Sequence, residues 1–101
     1  MSWFSRLRKT SNSSVQGKGF TVSIPGIHEI IYREKGLTYK VEIEGGAKYW
    51  LVYGDSLTIT EPPHTLDTFS RSEMRRILTN ISESMKLLGM KHEIDGSWNI
   101  D

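Results

Sequence analysis

The sequence predicts an α+β domain: an antiparallel meander sheet of about five strands, packed on one face by a single C-terminal amphipathic helix. Three observations predict it. Short segments alternating apolar and polar residues fill residues 20–60. Glycine, proline and aspartate separate them at turn-sized intervals. Beyond them, residues 70–88 repeat their apolar positions at the helical interval. No catalytic or metal motif interrupts either part. One sheet face under one helix leaves the other face free, which points to a domain that works by binding.

Residues 1–19 read as a flexible basic N-terminal tail. Thr10-Ser11-Asn12-Ser13-Ser14 and Gly17-Lys18-Gly19 are loop chemistry. Trp3, Phe4 and Leu7 beside Arg6, Arg8 and Lys9 fit one helical turn able to touch a membrane surface or nucleic acid. A polar terminus with incidental aromatics is the plainer reading. Residues 20–95 form the single domain, and residues 96–101 a loose C-terminus in which Trp98 is able to dock. A chain of 101 residues carries one core, not two.

Within the domain, Phe20-Thr21-Val22-Ser23-Ile24 alternates as a strand and Pro25-Gly26 turns it. Residues 28–34 form a second strand, and Lys35-Gly36 suits a tight hairpin. Residues 38–44 alternate most clearly: Tyr39, Val41 and Ile43 on one side, Lys40, Glu42 and Glu44 on the other. Gly45-Gly46 turns the chain into Tyr49-Trp50-Leu51-Val52-Tyr53. Gly54-Asp55 reads as a further turn before a fifth strand over residues 56–60, and Pro62-Pro63 stops the sheet. Leu66 and Phe69 are placed to anchor the crossover. Ser70 and Glu73 match a capping box. Met74, Ile77, Leu78, Ile81, Met85 and Leu88 share one stripe, and Gly89 suits the helix end. Leu78 and Ile81 are expected to bury against Val41, Ile43, Leu57 or Ile59. Residues 91–95 add a short edge strand or simply pack on the domain.

The net charge of +1 hides a split. Residues 1–18 carry four basic side chains and no acid; the remainder carries nine basic against all twelve acidic residues, a net of −3. A dedicated nucleic-acid domain more often concentrates basic charge on its folded surface. The absence of cysteine excludes disulfides, thiolate metal sites and cysteine nucleophiles, and fits a reducing cytoplasm. No apolar run approaches the roughly 18 residues that span a membrane, and no apolar stretch follows the N-terminal charges as in a secretory signal.

His28, His64 and His92 lack metal-ligand spacing, so neither a metal nor a cofactor is expected. There is no Gly-x-Ser-x-Gly elbow, P-loop or dinucleotide fingerprint. His64 with Glu61 or Asp67 is a weak nuclease-like pairing in a polar crossover. Enzyme is the least supported class.

Strand alternation separates Tyr49, Leu51 and Tyr53 from Trp50 and Val52. One set faces the helix. The other either places an aromatic anchor on the open sheet or is itself covered. Lys40, Glu42 and Glu44 line a wet face that Asp55 and Glu61 border. This strip suits a basic partner, or is simply a solvated face with cross-strand ion pairs.

Residues 32–95 resemble small bacterial immunity proteins of contact-dependent inhibition and polymorphic toxin systems. The residues carrying the resemblance are Tyr32-Arg33-Glu34-Lys35-Gly36-Leu37-Thr38-Tyr39-Lys40-Val41-Glu42, the strand at Tyr49–Tyr53 with Asp55-Ser56, Pro62-Pro63-His64, and Met74-Arg75-Arg76-Ile77-Leu78-Thr79-Asn80-Ile81. The resemblance implies a cytoplasmic protein that binds a cognate toxin domain, often a nuclease, and blocks its active site. Tyr32, Trp50 and Tyr53 are then the expected apolar anchors. Glu42, Glu44, Asp55 and Glu61 are expected to stand in for substrate phosphates, with His64 a further candidate. The ββββα order also resembles Whirly-type single-strand-binding domains and related transcription cofactors. That makes a single-stranded nucleic-acid-binding or transcription-accessory domain the alternative, although this chain has few basic residues on its strands.

Overall fold

The computed structural model describes residues 7–61, 70–96 and 98. Strands β1 (Arg8–Ser11), β2 (Ser14–Gln16), β3 (Phe20–Ser23), β4 (Glu29–Glu34), β5 (Leu37–Gly45) and β6 (Trp50–Glu61) follow one another as an antiparallel meander. Helix α1 (Arg71–Leu87) then crosses back, and β7 (His92–Asp95) pairs parallel to β6. The sheet order equals the chain order. The α+β class is as predicted, with seven strands among the described residues in place of about five. Among the described residues, no helix is long and apolar enough to cross a membrane.

Three expectations are corrected. The first concerns the tail, because residues 8–16 form two strands of the sheet. Val15 pairs with Val22 and is only 1% exposed. Leu7 is buried in the core as well and so is not a surface anchor. Gly17 closes the β2–β3 turn through its N–H to the Phe20 carbonyl (2.9 Å). The Phe20 ring lies where a Gly17 Cβ would be, 2.2 Å from that position. Three alternating residues in Ser/Gly-rich surroundings carry too little pattern to be read as a strand; pairing with β3 makes them one.

The second correction is at Gly54-Asp55, which is a bulge inside one long strand and not a turn between two. Lys40 pairs with Thr58, and Glu42 with Tyr53, so two steps along β5 face five along β6. Val52 and Leu57 both end on the helix side although their spacing is odd, because the bulge resets the alternation. The Ser56 hydroxyl holds the bend, accepting from the Glu42 N–H and donating to the Tyr53 carbonyl, both at 2.7 Å.

The third concerns the loose C-terminus at Trp98, which docks as the sequence allowed and is 3% exposed. Its ring covers Gly54, where an added Cβ would lie 2.5 Å from Nε1. Nε1–H donates to Asp55 Oδ1 at 3.0 Å. The Arg71 guanidinium lies 4.0 Å from the ring centroid, and Arg75 Nε–H donates to the Trp98 carbonyl at 3.2 Å.

Helix α1 is capped as its sequence predicts. Ser70 Oγ accepts from the Glu73 N–H at 3.1 Å. The second half of the capping box gives way to Arg76, whose Nε–H and Nη2–H donate to the Glu73 carboxylate. At the other end Met90 N–H bonds to Met85 O and Gly89 N–H to Lys86 O, a Schellman closure with Gly89 at φ 77. Ile77, Leu78, Ile81 and Met85 are fully buried. Leu78 and Ile81 share one core with Val41, Ile43 and Leu57, with Ile59 packed at its margin, as expected. Within that core Phe20 stacks on Tyr32 at a centroid spacing of 5.4 Å, and Tyr39 meets Tyr32 edge to face at 5.7 Å. The proposed crossover anchors Leu66 and Phe69 lie outside the described residues.

Candidate functional site

With one sheet face under α1, the opposite face is left open and is the candidate site. Strand register assembles its side chains into rows. Glu29, Glu42, Tyr53 and Asp95 lie side by side across β4, β5, β6 and β7. The next row toward the β5–β6 turn is Glu44, Leu51 and Glu93. Two rows on four strands thus hold five carboxylates around one leucine and one tyrosine. Away from that turn the rows carry both signs: Arg33 pairs with Thr21 and Thr38, Glu61 also pairs with Thr38, and Lys40 pairs with Ile31 and Thr58. Arg8, on the edge strand, donates to Gln16 Oε1 at 2.8 Å.

The residues expected at the site divide. Glu42 and Glu44 are exposed on the acidic rows. Tyr53 is half-buried between them and donates its hydroxyl to Glu44 Oε1. That bond holds the phenol above its ordinary range, since ionising it would set two anions against each other. Asp55 is exposed, but one of its oxygens is taken by Trp98. Trp50 lies on the helix side, packed at the core margin beside Gly45, so it is not an anchor on the open sheet. Glu61 ends β6 opposite Thr38, with its side chain outside the described residues. His64 also lies outside them.

Tyr32 is the clearest correction. It is fully buried under α1 and supplies no surface anchor. Its hydroxyl donates to Glu34 Oε1 and accepts from Asn80 Nδ2, both at 2.9 Å. Burial, aided by Glu34, pushes the phenol far above its usual range. Arg76 Nη1 closes on both Glu34 oxygens at 3.0 and 2.9 Å, completing a polar pin between sheet and helix.

Sequence reasoning missed Glu29, Glu93 and Asp95 as residues of this face; it grouped Tyr49 and Leu51 with Tyr53 but left open whether that set faces the helix. The parity of Glu93 and Asp95 against Ile94 was visible in the chain. Their placement beside Leu51 and Tyr53 needed the parallel pairing of β7. Ile27 and Tyr49 are the large apolar side chains left most exposed among the described residues, in the β3–β4 and β5–β6 connections at one end of the sheet.

One hydroxyl–imidazole pair looks catalytic in outline. Ser82 Oγ lies 2.7 Å from His92 Nε2, and His92 Nδ1 lies 2.9 Å from the Met90 carbonyl. Ser82 is 1% exposed between α1 and β7, so no substrate reaches it. The pair ties the helix to the last strand. Among the described residues no group of three or more His, Cys, Asp or Glu is placed to hold a metal. Comparison with family models, with curated proteins and with solved structures gives no match, so the functional reading rests on the open face itself.

Proposed function

We propose that this protein is an immunity protein that binds and neutralises a cognate bacterial toxin domain in the cytoplasm, a nuclease being the expected class, by occluding its active site. The observation that supports this reading is the pair of acidic rows set around Leu51 and Tyr53. A nuclease holds phosphates with Lys and Arg, and carboxylates on a rigid sheet offer those cations an alternative partner. Exposed carboxylates alone bind weakly and are screened by salt, so the apolar pair between them supplies the contact that water is excluded from. The same charges disfavour the alternative, a single-stranded nucleic-acid-binding domain, whose strand would have to lie along five carboxylates.

The test is growth protection and co-purification with the C-terminal domain of a secreted protein encoded beside this gene. The double variant Glu42→Lys/Glu44→Lys is expected to fold, because both side chains are exposed, and to lose or slow toxin capture. Full protection by a folded double variant refutes the acidic-row interface.

A further inference from the structure

We propose that the groove at the β5–β6 hairpin receives an arginine side chain of the protein partner. The identity of that partner rests on the toxin-binding reading; the chemistry of the groove does not. The groove encloses about 430 Å³ and is lined by Glu44, Gly46, Ala47, Lys48, Tyr49 and Leu51. Its floor is backbone. Gly46 N–H bonds to the Tyr49 carbonyl at 3.0 Å, and a Cβ on Gly46 would lie 2.8 Å from that oxygen, so this position admits no side chain. The apolar part of the wall is Ala47, Leu51 on the open face, and Tyr49, 42% exposed. A soluble domain gains nothing in isolation from holding an aromatic in water at a hairpin tip, and exposed aromatics of this kind serve as interface anchors. One carboxylate, Glu44, closes the groove. It already accepts the Tyr53 hydroxyl and has lone pairs to spare.

Apolar walls, an aromatic face and a terminal carboxylate fit a long cationic side chain. The stem packs on Leu51 and Ala47 while the head meets Glu44. Guanidinium suits it better than ammonium, because it is planar, weakly hydrated, stacks on an aromatic ring and binds carboxylate through two N–H groups. An anionic occupant is disfavoured by Glu29, Glu42, Glu93 and Asp95 in the same two rows. Ile27 extends the apolar surface: the His28 carbonyl accepts from the Ile43 N–H at 2.9 Å, which sets residue 27 level with the end of β5. Lys48 is the one cation of the wall and opposes the occupant.

The probes are N-acetyl-arginine amide and N-acetyl-lysine amide, titrated at physiological salt into the 15N-labelled protein. Saturable shifts of the amides of residues 44–51 are expected, with arginine binding about two- to fivefold tighter than lysine, the range of an exposed cation–π contact. Tyr49→Ala and Glu44→Gln are expected to lose that preference, Tyr49→Phe to keep it, and Lys48→Ala to tighten binding. Equal shifts with both probes, shifts spread over the acidic rows without the groove, or no shifts would each overturn the proposal. Toxin capture separates it from the functional reading. Capture by Tyr49→Ala equal to that of the parent, with arginine binding lost, removes the groove as the contact and leaves the toxin reading standing. Arginine binding in the groove, with no capture or protection by the parent, removes the toxin reading and leaves the groove.

Discussion

Substituting Gly54 by alanine tests the packing that joins the C-terminus to the sheet. An added Cβ would lie 2.5 Å from Trp98 Nε1 and 2.7 Å from Cδ1, closer than carbon and ring atoms approach. The ring must therefore leave its seat. Leaving breaks the Nε1–H bond to Asp55 and opens the Arg71 stack. A hydrogen bond to a charged acceptor contributes about 1.5–3 kcal/mol. Full truncation of a buried aromatic costs about 3–5 kcal/mol, which caps the effect because the ring is only displaced. Gly54→Ala is thus expected to destabilise by about 2–4 kcal/mol. Trp98→Ala should cost a similar amount. The double variant should cost little more than Trp98→Ala alone, since the next nearest atom to the new methyl is the Asp95 carbonyl oxygen at 3.2 Å, which needs to yield only slightly. Urea unfolding followed by circular dichroism gives all four corners of the cycle, with a coupling of about 2 kcal/mol or more expected. Additive effects, or a Gly54→Ala cost below about 0.5 kcal/mol, would refute the argument that Trp98 packs on Gly54 with no room for a side chain there.

Further outcomes follow from the same structure. Ile81→Ala, at a fully buried helix position, should lower stability by about 2–5 kcal/mol in chemical denaturation; an unchanged unfolding midpoint would remove the proposed helix–sheet core. Tyr32→Phe leaves Glu34 and Asn80 without their shared hydroxyl and should cost about 1–3 kcal/mol. The raised Tyr32 phenol stays neutral in the fold, so its contribution is fully present below the unfolded-state value near 10 and is lost as the pH climbs beyond it. Alkaline unfolding of the parent should therefore be less steep in Tyr32→Phe; identical alkaline profiles would contradict the buried assignment. Fluorescence anisotropy with single-stranded DNA and RNA should show negligible affinity at physiological salt, and submicromolar, length-dependent binding would favour the nucleic-acid reading instead.

Much of the architecture was legible because it depends on local pattern. The alternation at Tyr39, Val41 and Ile43 marks a half-buried strand wherever it folds, and the stripe from Ile77 to Met85 marks a helix with one dry face. Lys35-Gly36 reads as a two-residue hairpin, and both residues adopt the positive φ (52 and 79) that such a turn demands. Ser70 and Gly89 mark the helix ends by chemistry that acts within a few residues. The candidate site was legible only in part. Glu42, Glu44 and Tyr53 could be assigned to one strand face each, but not to adjoining rows.

What the sequence by itself determined is thus the α+β class, the helix and its buried stripe, and the alternation that separates wet from dry faces, all properties of spacing along the chain. Tertiary structure alone decided the rest, because it depends on which strands meet. Whether Trp50 or Tyr53 faces the helix is invisible to parity, which only sets them on opposite sides. Tyr32 is an expected surface anchor only through the resemblance, yet α1 covers it and Asn80 Nδ2 donates to its hydroxyl. Val15 becomes a core residue only through Val22. Glu93 and Asp95 join the acidic rows only because the crossover through α1 returns β7 parallel to β6. Gly54 looks like a turn residue, but pairing with β5 makes it part of a bulge within one strand, and Trp98, distant in sequence, packs on it.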